Sequence, residues 1–205
     1  MALFSGFSLL MVDMAVTGQT VGQFTDARDG KTYQTVSYEL KKGKDSVSTI
    51  TWMAENLNFN SMASHCFANE EANCEIKGRL YNWFEASAVC PAGWRLPNDE
   101  DWYQLVSLYG GLAKAGKHLK ADKRSWPDGK GTNKSGFNGL PTGAFAAKHF
   151  HQAKAGFYWS ATETKEEGEE ASDWSFVPWL DEMRHWSGDK FIGNAVRCIR
   201  DSNEN

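Results

Sequence analysis

Cysteine, histidine, carboxylate and tryptophan are the side chains here that could do chemistry, and their spacing decides which chemistry is open. Cys66, Cys74, Cys90 and Cys198 are even in number and none forms a Cys-x-x-Cys pair, so the usual zinc and thioredoxin spacings are missing and disulfides are the favoured reading. Of the three connectivities open to four cysteines, the favoured one joins Cys66 to Cys74 and Cys90 to Cys198. Four reduced, buried thiols in a cytosolic protein are the plain alternative. The longer bridge would tie the last strand to the middle of the chain, worth about 4 kcal/mol on a chain-entropy argument.

His149 and His151 would face the same way on a strand and could hold a metal, yet no third ligand is evident. Glu166, Glu167, Glu169, Glu170 and Asp173 could offer carboxylate oxygens to calcium from a loop. The run holds no Asn or Gln to add a carbonyl, and a solvated loop is the plain alternative. Calcium is the one cofactor left open. Residues 171–189 mix Trp174, Trp179 and Trp186 with Asp173, Asp181, Arg184 and Asp189. Stacking surfaces beside hydrogen-bonding groups suit a binding face, so Trp174, Trp179, Asp181, Arg184, Trp186 and Asp189 are the expected ligand-binding residues. The competing reading makes alternate tryptophans core and the charges their solvated neighbours. No Gly-x-Ser-x-Gly elbow, His-Glu-x-x-His helix or P-loop occurs, and no catalytic residue is assigned.

Elements able to position these groups can be read from turns and periodicity. Asp26-Ala27-Arg28-Asp29-Gly30-Lys31 reads as a turn opening a strand at Thr32, with a calcium loop disfavoured because the acidic spacing misses the EF-hand pattern. A second strand covers residues 48–53, with a polar hairpin tip at 41–45. Residues 79–88 suit a short buried helix. The clearest element follows Pro97: Asn98 as N-cap, Asp99, Glu100 and Asp101 in the first turn, and Gly110-Gly111 at the end. Trp102, Leu105, Val106 and Tyr109 make one apolar stripe, so this helix faces the core and its acids need no catalytic explanation. Residues 123–134 read as a loop holding Trp126, and the second half is mostly strand and loop, with strand-like runs at 157–160, 174–177 and 191–200.

With 205 residues and a net charge of −4, the chain is long enough for one core and offers no broad positive field, which disfavours nucleic acid and anionic membrane surfaces as partners. Nine Trp, twelve Phe and six Tyr serve as core or as flat platforms for sugars and peptides. The apolar run at 7–12 is too short to span a membrane and is interrupted by Asp13; it lacks the basic residues of a signal peptide, although Ala15-Val16-Thr17-Gly18 offers small residues near a cleavage point. Gly6-Phe7-Ser8-Leu9-Leu10 is also similar to a type IV prepilin start, without its Glu.

Five ordered motifs carry a further signal: Trp52-Met53-Ala54-Glu55-Asn56-Leu57-Asn58, Gly78-Arg79-Leu80-Tyr81-Asn82-Trp83, Cys90-Pro91-Ala92-Gly93-Trp94-Arg95-Leu96-Pro97, Gly156-Phe157-Tyr158-Trp159-Ser160-Ala161-Thr162-Glu163 and Ala195-Val196-Arg197-Cys198-Ile199-Arg200-Asp201. Together they resemble the Fibrobacter succinogenes major paralogous domain, from about Phe24 to Asp201. That family's motifs are in turn similar to those of C-type-lectin-like and formylglycine-generating-enzyme-like folds. The resemblance implies an α+β, C-type-lectin-like fold: two main helices on twisted antiparallel sheets, long loops on one face, and a disulfide staple that Cys90–Cys198 suits. It implies a single domain at 24–201, an N-terminal appendage at 1–23 and a tail at 202–205. The formylglycine-generating relatives use a reactive cysteine pair, and no cysteines remain here beyond the four already paired. The expectation is a noncatalytic recognition module, secreted or on the cell surface, binding a glycan, peptide or protein through its loop-rich C-terminal half. A self-assembling filament or surface-layer subunit, jointed through residues 1–21, is the alternative.

Overall fold

Two β-sheets and a pair of helices share one core in the computed structural model, which describes residues 16–42, 46–127, 130–164 and 168–201. Strands β1 (Val16–Thr25), β2 (Thr32–Lys42) and β3 (Ser46–Met53) form an antiparallel meander, closed at its far edge by the C-terminal strand β11 (Ile199–Asp201). Val16–Thr25 is therefore a strand of the sheet, so the region expected as an appendage is built into the fold from residue 16 onward. The remaining N-terminal residues, the prepilin-like run among them, lie outside the described part, as do 202–205 and the hairpin tip at 43–45.

The Asp-Gly turn between β1 and β2 is self-contained. Buried Asp26 receives the Arg28 side chain at 2.9 and 2.6 Å, and that guanidinium holds its carboxyl below the usual range. A carboxylate so occupied has no free oxygen for calcium.

Helix α3 (Asp99–Ser107) starts as its sequence dictates. Asn98 accepts from the Asp101 amide at 3.0 Å while Asp101 accepts from the Asn98 amide at 2.8 Å, a reciprocal capping box. Trp102, Leu105 and Val106 are fully buried. Helix α4 (Leu112–Leu119), which the sequence reading did not anticipate, packs beside it. Its Gly116 is required by packing, since a Cβ there would collide with the Glu182 carbonyl oxygen. The two shorter helices are α1 (Glu71–Lys77) and α2 (Trp83–Ala86).

The helix expected over 79–88 is instead strand β4 (Leu80–Tyr81) followed by the single turn of α2. Asn82 causes the switch, because its side chain accepts from the Glu85 amide and so starts a helix after two strand residues. Trp126 anchors the predicted loop at 123–134 by burial and by donating from Nε1 to the Gly139 carbonyl at 2.9 Å.

The second sheet runs β4, β10 (Asn194–Ala195), β7 (Gly156–Glu163), β8 (Glu170–Phe176) and β9 (Met183–Asp189). Its β10–β7 pairing is parallel, a departure from the all-antiparallel expectation. A small hairpin, β5 (Ala144–Ala146) with β6 (His149–His151), leans on this sheet through mutual backbone bonds between Phe145 and Gly193.

Both disulfides expected from the sequence are formed, Cys66–Cys74 and Cys90–Cys198. The first and last of the ordered motifs meet in one internal bond network. Fully buried Arg197 donates to Asn56 Oδ1 at 2.9 and 2.6 Å, to the Met53 carbonyl at 3.0 Å and to the Phe137 carbonyl, while burial pulls its guanidinium pKa down. Arg95 bridges Asp101 and Asp201, clipping the start of α3 to β11. These bonds tie the last motif to the first, and the third motif to α3 and the closing strand.

Candidate functional site: a groove on the outer face of the second sheet

Strand alternation and register build this site. Side chains at every second position share a face, and partners across antiparallel strands stand side by side. Register aligns Trp159, Asp173 and Trp186 in one cross-strand row and Phe157, Ser175 and Arg184 in the next. Trp159 is buried in a second core cluster, and the remaining members of these rows form the outer face of the β7–β8–β9 sheet. The β5–β6 hairpin and Asn194 of β10 close the side, leaving a groove of about 580 Å³ lined also by His151 and Gln152.

Three buried polar side chains on the groove, Asp173, Asn194 and Ser175, make no side-chain hydrogen bond among the described residues. Asp173 is 8% exposed and makes no hydrogen bond or ion pair; burial, and next the nearby Asp99 carboxylate, push its carboxyl up to about 6. Asn194, 2% exposed, leaves its Oδ1 unsatisfied. Trp186, 59% exposed, stands beside Asp173. Gly188 keeps the carboxylate open, because a Cβ there would lie 2.9 Å from Asp173 Oδ2.

The inner face of the same sheet carries a constellation that invites a catalytic reading. Ser172 Oγ lies 2.6 Å from His185 Nε2 and 2.8 Å from Asp99 Oδ2. Asp99 also sits 3.1 Å from His185 Nε2, and Tyr103 Oη is 3.1 Å from Nδ1. A nucleophilic triad needs the carboxylate on one imidazole nitrogen and the serine on the other. Here both meet the same nitrogen, so the arrangement is not that of a Ser-His-Asp triad. Ser172 is also 3% exposed. These bonds tie α3 to β8 and β9.

Of the six residues expected to bind ligand, the structure brings two to the groove, Arg184 and Trp186. Trp174 is corrected: it lies on the opposite face, fully buried, stacked on Trp102 at 5.7 Å and 14°, with Nε1 donating to Asp99 at 2.9 Å. Trp179 and Asp181 lie in the β8–β9 connection toward α4, where the Trp179 carbonyl accepts from Lys130 and the Asp181 carbonyl from Lys117. Asp189 ends β9 by accepting the Phe191 amide at 2.8 Å. Sequence reasoning did not assign Phe157, Ser175, Gln152 or Asn194 to a site. The alternation along β8 was the available signal for Ser175 once Asp173 was singled out.

The remaining candidates are dispersed. His149 and His151 share the exposed side of β6, and among the described residues no third metal-capable side chain joins them. In the acidic run Glu166 and Glu167 lie outside the described residues, Glu170 accepts from Ser187 at 2.7 Å, and Asp173 turns into the groove. Cys66, Glu71 and Cys74 cluster within ligating distance, but both sulfurs are spent in the disulfide.

Among the described residues no helix is long and apolar enough to cross a membrane. A family model described as the Fibrobacter succinogenes major domain matches residues 45–200. No curated protein matches the chain. No solved structure matches it either.

Proposed function

This chain belongs to the Fibrobacter succinogenes major domain family, and on that premise we propose that it is a noncatalytic recognition module, displayed outside the cytoplasm, that binds a glycan, peptide or protein in the groove on the outer face of its second sheet. The observation that carries the reading is the pairing of exposed Trp186 with the partnerless Asp173 carboxylate at the same register position. A desolvated carboxylate without a partner costs stability, and such costs collect where a ligand completes the bonding. The Ser172–His185–Asp99 geometry, with serine and carboxylate on the same imidazole nitrogen, supports a noncatalytic role. Two disulfides favour an oxidising compartment. A C-type-lectin-like layout is supported by the closing strand β11 pairing with β3 of the opening meander and by α3 and α4 packing on the shared core.

Screening the purified protein against glycan and peptide arrays, with Trp186→Ala in parallel, tests the reading. Binding by the parent chain that W186A loses, with an unchanged melting temperature, supports it. Binding that W186A retains in full places recognition elsewhere and overturns the groove.

One observation favours self-assembly as a second reading. Edge strand β1, VTGQTVGQFT, carries no charge or proline to block strand addition, and its Val21 is exposed. Concentration-dependent growth in sedimentation velocity, abolished by Val21→Lys, would support assembly through that edge.

A further inference from the structure

Resting on the recognition reading, we propose that the groove takes a neutral pyranose unit of a glycan, its apolar ring face laid on Trp186 and its hydroxyls donated to Asp173 and Asn194. The argument is one of matching bonding deficits. Asp173 when ionised accepts only, and the orphan atom of Asn194 is its carbonyl oxygen, so both groups lack donors. A sugar hydroxyl is a donor that brings no charge.

Charge narrows the choice. Arg184 lies one row along from Asp173, and the two form no ion pair. Its Nε is engaged by Glu182 at 2.6 Å, and the residue lines the groove. A cationic ligand suited to Trp186 and Asp173 would meet Arg184, and an anion suited to Arg184 would meet Asp173. A neutral polyol meets both with a donor on one side and an acceptor on the other. The exposed indole supplies the third element, a flat surface for the C–H face of a ring. The groove volume of about 580 Å³ falls within the 300–1,000 Å³ usual for small-ligand sites.

The test is calorimetric titration with neutral oligosaccharides built from glucose, mannose, galactose or N-acetylglucosamine, alongside uronic-acid oligomers, lysine-rich peptides and neutral peptides. Binding of at least one neutral oligosaccharide at millimolar concentration or below is expected, with quenching of tryptophan emission. Asp173→Asn should weaken it about tenfold, equivalent to ~1.4 kcal/mol, and W186A should abolish it. As a readout that a structural role would not move, the affinity should fall as pH drops through about 6 in the parent chain and fall less in D173N, where His151 is the titratable group left on the groove. Binding confined to charged oligomers or to peptides, but still lost in W186A, overturns the sugar assignment and leaves the recognition groove standing. Saccharide binding that ignores both substitutions, or no binding by any probe in the panel, overturns both.

Discussion

The two faces of the β7–β8–β9 sheet handle buried polar groups in opposite ways. On the inner face the Asp99 carboxylate accepts from Trp174 Nε1 and Ser172 Oγ and lies 3.1 Å from His185 Nε2, so both its oxygens are engaged. On the outer face, between Ser172 and Trp174 on the same strand, Asp173 is 8% exposed and has no partner. Alternation alone separates Trp174 from Asp173, yet one side is a closed bonding network and the other an open one. Saturation suits a face that holds the protein together, and the deficit is what a ligand of the proposed recognition groove would fill.

The sharpest test of this contrast replaces the same residue type on the two faces. Trp174→Ala should lower unfolding free energy by about 3–5 kcal/mol, because it removes a fully buried ring stacked on Trp102 and frees an acceptor of Asp99 from its donor. Denaturant titration with an unchanged slope is the measurement, and a loss below ~1 kcal/mol would contradict the core placement. Asp99→Ala should cost less, about 2–3 kcal/mol, since Trp174 Nε1 and Ser172 Oγ lose their acceptor while the helix keeps its Asn98–Asp101 cap.

The sequence made the inner face far more legible than the outer one. Pro97, Asn98, the three acids and the stripe of Trp102, Leu105 and Val106 define α3 because capping and 3.6-residue periodicity act within a few neighbouring residues. The even number of cysteines without a Cys-x-x-Cys pair pointed to disulfides, and the favoured one of three connectivities is the one formed. The groove depends on the register of β8 against β9, and β9, Met-Arg-His-Trp-Ser-Gly-Asp, is an edge strand with no alternation of aliphatic residues to announce it. Hence the sequence grouped Trp174, Trp179 and Trp186 by proximity along the chain, whereas the pleat divides them between the core, a loop and the groove. Asn194 gave no local signal, since its place in the groove is set by β10 lying parallel to β7.

Asp173→Asn should move stability the other way. The folded carboxyl sits at about 6 against an ordinary 3.8, so the native state holds its proton more tightly than the unfolded chain does. Stability from this group is fully present below about pH 3.8 and is lost as pH rises through 6. At neutral pH the ionised, desolvated carboxylate therefore costs on the order of 2–3 kcal/mol, and D173N should recover about 1–2 of it. Thermal melts between pH 4 and 7 check this: the parent's stability relative to D173N should decline across that window. A D173N chain that is less stable than the parent at neutral pH would mean that Asp173 has a structural partner.

Trp186→Ala should give the smallest stability change of the set, within about 0.5 kcal/mol, because the side chain is 59% exposed and packs on an edge strand. Its value lies in the pairing with Trp174→Ala. Two tryptophans on neighbouring strands of one sheet, one fully buried and one mostly exposed, should separate cleanly into a stability effect without a direct binding role and a binding effect without a stability cost. Denaturant midpoints and ligand titrations on the two variants measure both axes. If W186A proved as destabilising as W174A, the outer face would be a second packed surface, and the open carboxylate beside it would lose its meaning as a ligand contact.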